Sequence, residues 1–197
     1  MVILGIDSDA KGSAALLTTG AWLLDVYALP NAVKHLKSGK NRLHLDYPAL
    51  AATMADLILS VDAVWIEDQW SRPSQDIGAM FTFGQGFGDI RTAVAAALFQ
   101  RFQNLQDVRS RIHFVSGADW KGAMALSSDK NHTREFATNY LPDCAHAWKL
   151  VSKHTSAAEA TLIATYGAAQ MGVKLPKAGL IKPDKVPTRT THALRLI

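Results

Sequence analysis

The chain has 197 residues, of which 48% are hydrophobic, and a mean hydropathy of +0.02, which together indicate a globular protein with a full core. No segment has the ~18 consecutive apolar residues of a membrane helix, so we expect no membrane partner and a cytoplasmic location, or an organellar one after removal of a transit peptide. The single cysteine, Cys144, excludes an internal disulfide and a cysteine-rich zinc site, and a formal net charge of +4 is compatible with an anionic partner.

The first part of the chain reads as three strands, a helix and a fourth strand. Thr19-Gly20 separates the second and third strands and suits a hairpin turn. The polar and basic segment 31–41 is expected to be an exposed loop. Asp46 as the cap and Pro48 in the first turn predict the start of the helix. The predicted elements are strands Val2–Asp7, Gly12–Thr18, Ala21–Leu29 and Ala63–Glu67, and a helix from Asp46 to about Ser60.

The second part begins with a long helix over 76–102, predicted from apolar residues at a spacing of 3.6. Its glycines cost about 1 kcal/mol each relative to alanine, and we interpret them as allowing close approach of another helix or backbone. A strand Ile112–Val115 and helices Lys130–Tyr140 and Ser156–Met171 follow. This order predicts an α/β domain, 1–172, with a mixed sheet in which the first and fourth strands are neighbours. A basic, proline-containing C-terminal tail, 173–197, completes the chain.

Three acidic residues occupy positions where a charge is costly unless a cation compensates it. Asp7 and Glu67 end apolar strands, and Glu159 begins an alanine-rich helix. Carboxylates brought together from distant parts of the chain predict a site for a hard cation such as Mg²⁺. The alternatives are that Asp7 caps a turn and that Glu159 forms a capping box with Ser156, which does not exclude ligation.

This order of elements and acids resembles the RNase H-like fold. More closely, it resembles the RuvC-type Holliday junction resolvases, and among them the phage and chloroplast-type branch. The resemblance is carried by segments that occur in the family's order from residue 2 to about 170. The matching segments are Gly5-Ile6-Asp7-Ser8-Asp9 with Gly12-Ser13-Ala14-Ala15, Ile66-Glu67-Asp68-Gln69-Trp70, Arg72-Pro73 with the glycine-rich run 80–88, Trp120-Lys121 with the run 126–130, and the run 158–164 around Glu159.

The resemblance implies a mixed five-stranded sheet flanked by helices and a Mg²⁺-dependent, structure-selective endonuclease. Such an enzyme makes symmetrical paired nicks in four-way DNA junctions. Asp7, Glu67 and Glu159 would hold two Mg²⁺ ions, which Mn²⁺ could replace, with Asp9 as a further ligand and His154 as a catalytic aid. No small-molecule cofactor is expected. The near two-fold symmetry of the junction implies a homodimer, and the 76–102 helix is the candidate interface.

The sequence departs from the family pattern in two places. Asp9 replaces a glycine that many members have, and the Asp or His expected three or four residues before the last acid is replaced by Ser156 and Thr155. Two alternatives follow. One is a junction-binding protein with weakened or lost nuclease activity, and the other is an RNase H-type nuclease that acts on RNA–DNA hybrids. A sugar kinase or actin-like ATPase would need a second lobe, for which the chain is too short.

Aromatic and basic residues near these acids are candidate DNA contacts. Trp70 lies in a polar context and is expected to be exposed, where stacking on a base would contribute ~1–3 kcal/mol. The aromatic stripe Phe81–Phe87 is instead expected in the core. The basic residues that precede Glu159 are either ordinary surface charge or line the path of the phosphates. The candidate DNA contacts are Trp70, Arg72, Lys121, Lys130, Arg134 and Lys153.

Overall fold

The structure, a computed structural model, describes residues 1–9, 11–19, 23–35, 39, 41–70, 76–145, 148 and 155–174. Three predicted site residues, Arg72, Lys153 and His154, lie outside the described residues, as does most of the predicted tail. Among the described helices, none has the length and apolar character required to cross a bilayer.

A mixed five-stranded sheet lies at the centre of the fold. Its strands are β1 Val2–Asp7, β2 Ser13–Thr18, β3 Leu23–Ala28, β6 Ala63–Asp68 and β7 Ile112–Ser116. Their order in the sheet is β3-β2-β1-β6-β7. The first three strands form an antiparallel meander, and β6 runs parallel to both β1 and β7. The register pairs Ile6 with Ile66, so Asp7 and Glu67 lie at neighbouring strand ends, as predicted.

Helices cover both faces of this sheet, because alternate side chains of its strands enter two separate apolar clusters. The helices are α1 Tyr47–Leu57, α2 Ile77–Phe102, α3 Leu105–Arg111, α4 Gly117–Ala123, α5 Lys130–Tyr140 and α6 Thr155–Gln170. Leu4 and Ile6 of β1 pack with α1 and α2, whereas Ile3 and Trp65 pack with α4, α5 and α6. The predicted α/β architecture is confirmed.

Two predicted helix starts are confirmed, the first predicted from its capping residue and the second from the spacing of its apolar residues. Asp46 accepts a hydrogen bond from the backbone N–H of Ala49 at 3.2 Å, and Asp76 accepts one from Ala79 at 2.9 Å. Two short helices, α3 and α4, were not predicted, because seven residues are too few to display a helical period.

The segment predicted as a loop over 31–41 is a β-ribbon. β4 Asn31–His35 and β5 Asn41–Leu45 pair antiparallel in a two-stranded sheet of their own. The register pairs Val33 with Leu43, and both remain exposed. Because neither side of most of the ribbon is covered by the core, its sequence lacks the apolar alternation of a half-buried strand, and its lysines favoured a loop.

The core position predicted for the aromatic stripe is wrong at its start. Phe81 is 75% exposed and Ile77 is 80% exposed, whereas Phe87 is half-buried against Phe114. Buried residues in α2 begin only at Ile90. The first turns of α2 therefore project beyond the core, which the spacing of apolar residues cannot reveal.

Candidate metal centre

The three predicted acids converge at the C-terminal end of β1 and β6. Asp7 and Glu67 stand on these adjacent strands, and α6 crosses the face of β1 at Gly5. A Cβ at Gly5 would collide with the backbone of Ala160 and Ala164, so this glycine permits the close contact of helix and strand. Glu159, one residue before Ala160, is thereby carried to Asp7. Both carboxylates are buried, with exposed fractions of 4% for Asp7 and 5% for Glu159.

Hydrogen bonds hold Glu67 in place. The indole N–H of the buried Trp120 donates to Glu67 Oε1 at 3.2 Å, and the amide of Gln69 donates to Glu67 Oε2 at 3.3 Å. Gly117 leaves room for this side chain, because a Cβ there would meet Glu67 Oε1. Trp120 and Gly117 belong to the unpredicted helix α4, so the sequence analysis missed their contact with Glu67.

Lys121 supplies a cation to the same cluster. Its Nζ lies 2.8 Å from Glu159 Oε1, with the lysine side chain 20% exposed and the glutamate side chain 7% exposed. Its Nζ is also 5.0 Å from the centroid of the Trp120 ring. The residue predicted as a DNA contact therefore lies against a predicted metal ligand.

The surroundings of Asp7 disfavour the ionised form of its carboxyl group. Burial raises the pKa of Asp7 well above its ordinary value, and the charges of Glu159, Glu67 and Asp9 raise it further. The backbone N–H of Asp9, which donates to Asp7 Oδ1 at 3.4 Å, opposes this only in part.

Burial also raises the pKa of Glu67, and the charge of Glu159 adds to that effect. The hydrogen bond from Trp120 and the positive charge of Lys121 act in the opposite direction. The upward pKa shifts of Asp7 and Glu67 indicate carboxyl groups that are close in space and short of positive charge.

The donor chemistry of this cluster fits a hard divalent cation. The side chains of Asp7, Glu67 and Glu159 offer only oxygen, which Mg²⁺ prefers, and Asp9 adds an exposed carboxylate next to Asp7. Within the part of the chain that the structure describes, no group of three or more His, Cys, Asp or Glu side chains is placed so that it could hold a metal ion as it stands. Lys121 holds one oxygen of Glu159. Metal binding therefore requires that this ion pair loosen or the side chains adjust.

Ser156 does not form the capping box with Glu159 that was considered as an alternative. Helix α6 begins at Thr155, so Ser156 lies inside the helix rather than at its cap. Its Oγ is 2.9 Å from the Oγ of Ser13, and both residues are buried. Ser156 therefore links α6 to the start of β2.

The remaining described candidates lie outside the acid cluster. Trp70 is 65% exposed two residues beyond β6, as its polar context predicted. Lys130 is exposed at the start of α5, which packs against α6. Arg134, further along α5, donates to Asn131 Oδ1 at 3.1 Å and lines a shallow surface depression with Trp148.

The fold matches solved structures, although the sequence identity to them is low. No family model matches the chain, and no curated protein matches it. A structure of T. thermophilus RuvC in complex with a Holliday junction substrate superimposes with a TM-score of 0.51 at 17% identity, over 90% of this chain and 100% of that one. A second Thermus thermophilus RuvC structure gives a TM-score of 0.49 at 19% identity, over the same shares. The first match shows that the chain has the RNase H-like fold.

Proposed function

We propose that this protein is a Holliday junction resolvase of the RuvC type, a Mg²⁺-dependent endonuclease that makes paired nicks in four-way DNA junctions. One observation carries the proposal: the buried Asp7 and Glu159 meet the half-buried Glu67 in a cluster whose charges raise the pKa of Asp7. The fold supports it, because the matched T. thermophilus protein is described in complex with a Holliday junction substrate. The resemblance of the sequence motifs favours the phage and chloroplast-type branch.

The chain's own residues would prepare the site for hydrolysis. Asp7, Glu67 and Glu159 would hold two Mg²⁺ ions, and these would supply an activated water for attack on the phosphodiester and positive charge for the leaving 3′ oxygen. Trp120 and Gln69 orient Glu67 through the two hydrogen bonds to its carboxylate. The exposed Asp9, two residues after Asp7, would add a ligand. Cleavage of this kind leaves 5′-phosphate and 3′-hydroxyl ends.

We also propose that the protein acts as a homodimer through the first turns of α2. Ile77, Phe81, Gly84 and Gly88 recur at intervals of four, three and four residues, so they share one face of the helix. Both apolar side chains are exposed, and a Cβ added at Gly84 or Gly88 would meet nothing within 4 Å. This face could accept the same helix of a second copy.

The exposed Trp70 would stack on bases at the junction centre.

A second candidate, junction binding with weakened nuclease activity, is favoured by the contact of Ser156. This residue stands where the resemblance implies an Asp or His, and its hydroxyl is already bonded to Ser13. Neutral hydroxyls are poor ligands for Mg²⁺. His154 would have to complete the site if a further side-chain ligand is needed.

A nicking assay tests these functions. The purified protein is mixed with a synthetic four-way junction, the matching linear duplex or an RNA–DNA hybrid, each with Mg²⁺ or with EDTA. Paired cuts in the junction alone, dependent on Mg²⁺, support the proposal. Tight junction binding without cuts supports the second candidate, and cleavage of the hybrid alone supports an RNase H-type nuclease.

A further inference from the structure

The β4–β5 ribbon, residues 31–45, is the most uniformly basic segment of the chain outside the C-terminal tail. It contains Lys34, Lys37, Lys40 and Arg42 and no acidic residue. In the rest of the chain, outside this ribbon and the tail, acidic residues outnumber basic ones. The segment is therefore basic, whereas the rest of the domain has a negative formal net charge.

The ribbon begins beside the acid cluster. Strand β3 ends opposite the start of β2, with Ala28 paired to Ser13. The backbone N–H of Leu29 then donates to Gly12 O at 3.0 Å, and Gly12 N donates to Asp9 O at 2.8 Å. The ribbon thus leaves the sheet at the end that carries Asp7, Asp9 and Glu67.

Two contacts fix the base of the ribbon. The backbone N–H of Asp46 donates to Pro30 O at 2.9 Å and closes the base, while the buried Leu45 packs next to Gly86 of α2. Further out, Val33 and Leu43 form an exposed cross-strand pair, 51% and 37% exposed. The next pair of positions along the ribbon is Lys34 and Arg42.

An exposed two-stranded ribbon gains little stability from its own pairing. Concentrated positive charge beside a site for phosphodiester chemistry indicates an anionic, extended partner. The DNA backbone that runs on from the cut site has this character.

We propose that the β4–β5 ribbon binds the phosphate backbone of the DNA next to the cut site, with Lys34 and Arg42 as its contacts. This inference rests on the proposed function, because it takes the substrate of the acid cluster to be DNA. Phosphate contacts of this kind position the duplex without reading its sequence. The ribbon would therefore contribute affinity for any DNA arm that enters the site.

The salt dependence of binding tests this proposal. The variants are Lys34→Gln, Arg42→Gln and their combination. Arg109→Gln is the matched control, because Arg109 is exposed on α3, which directly precedes β7 and so lies at the opposite end of the sheet. Dissociation constants for the four-way junction and the linear duplex are measured against salt concentration in EDTA. Thermal melting confirms that each variant is folded.

Each ribbon substitution should weaken binding to both DNAs and reduce the slope of log K against log salt by about 1, because one phosphate contact is lost. The double variant should lose about 2. Arg109→Gln should leave the slope unchanged. Unchanged slopes in folded ribbon variants would overturn the inference.

The two DNAs separate this inference from the proposed function. If the parent neither prefers nor cuts the junction, but the ribbon variants still reduce the slope on linear duplex, the resolvase proposal fails and the ribbon inference stands. If the parent cuts junctions and the ribbon variants bind them with the parental slope, the opposite conclusion holds.

Discussion

At the residue scale, Asp7 is the side chain on which the proposed metal site depends. It ends the central strand of the sheet, is almost fully buried, and has three other acidic residues near enough to raise its pKa. The hydrogen bond from the backbone N–H of Asp9 lowers the pKa of Asp7 by less than burial and the neighbouring charges raise it. A bound divalent cation would compensate the charge of Asp7, which is the physical reason for a metal at this position.

Asp7→Asn should abolish Mg²⁺-dependent cutting and leave junction binding nearly unchanged. The amide keeps the shape of the side chain and removes the charge that would hold the metal. Cutting rates and dissociation constants are measured for the variant and the parent on the same junction. Near-parental cutting would show that Asp7 is not a ligand.

The stability of the metal-free protein should fall as pH rises from about 4. The pKa of Asp7 is higher in the folded protein than in the unfolded chain, so the folded state binds this proton more tightly. The stabilising contribution is complete below the unfolded pKa and is lost as pH rises through the folded pKa. Melting in EDTA across this range measures the effect. Asp7→Asn should flatten the profile and melt higher than the parent at neutral pH; a parallel profile would contradict this assignment.

Lys121→Met should make the protein more dependent on Mg²⁺ for stability. The lysine is the cation paired with Glu159, and its loss leaves the buried carboxylates without that compensation. We expect a lower melting temperature in EDTA, by roughly 2–4 °C for each kcal/mol lost. The rise on adding saturating Mg²⁺ should be larger than in the parent. Lys130→Met, on the exposed start of α5, is the control. Equal rises in all three proteins would contradict a shared site for Lys121 and metal.

At the element scale, local signals predicted the parts of the fold that they determine. The cap at Asp46 and the apolar spacing that starts after Asp76 located two helix starts, and the strand ends located Asp7 and Glu67. The alternation of the ribbon was hidden, because little of it is buried. The Lys121–Glu159 and Trp120–Glu67 contacts could not be predicted, since they depend on the placement of α4, whose seven residues show no period. Phe81 was misplaced because helical spacing predicts a face but not where the core ends.

Gly5→Ala should destabilise the fold by several kcal/mol, of the order of 3. An added Cβ would collide with backbone atoms of α6 at Ala160 and Ala164, which cannot move without shifting the helix from the sheet. Because that helix carries Glu159, any folded fraction should also bind Mg²⁺ weakly. Denaturant unfolding measures the loss. Gly122→Ala in α4 is the control, since its Cβ would meet nothing within 4 Å and alanine favours the helix. Equal stability of the parent and Gly5→Ala would mean that strand and helix are not in close contact.

At the scale of the whole molecule, two structural features extend beyond the core near the acid cluster. The first turns of α2 expose an apolar face, and the β4–β5 ribbon packs beside them through Leu45 and Gly86. If two copies meet along α2, each acid cluster is held at a fixed distance from the other. Each cluster would also retain its own ribbon. This arrangement matches the symmetry of a four-way junction, which offers two equivalent strands for cutting.

If the proposed homodimer forms through α2, Phe81→Glu should convert it into a monomer and uncouple the two proposed cuts. A charge on the exposed face of Ile77, Phe81, Gly84 and Gly88 would be repeated across a two-fold axis, so the two copies would repel each other. Light scattering measures the mass, and a plasmid-borne junction distinguishes single nicks from paired ones. Leu105→Glu is the control, because Leu105 is also exposed but begins α3. We expect it to remain a dimer that makes paired cuts. A parent that is monomeric while making paired cuts would remove the need for a dimer, and a dimeric Phe81→Glu would place the interface elsewhere.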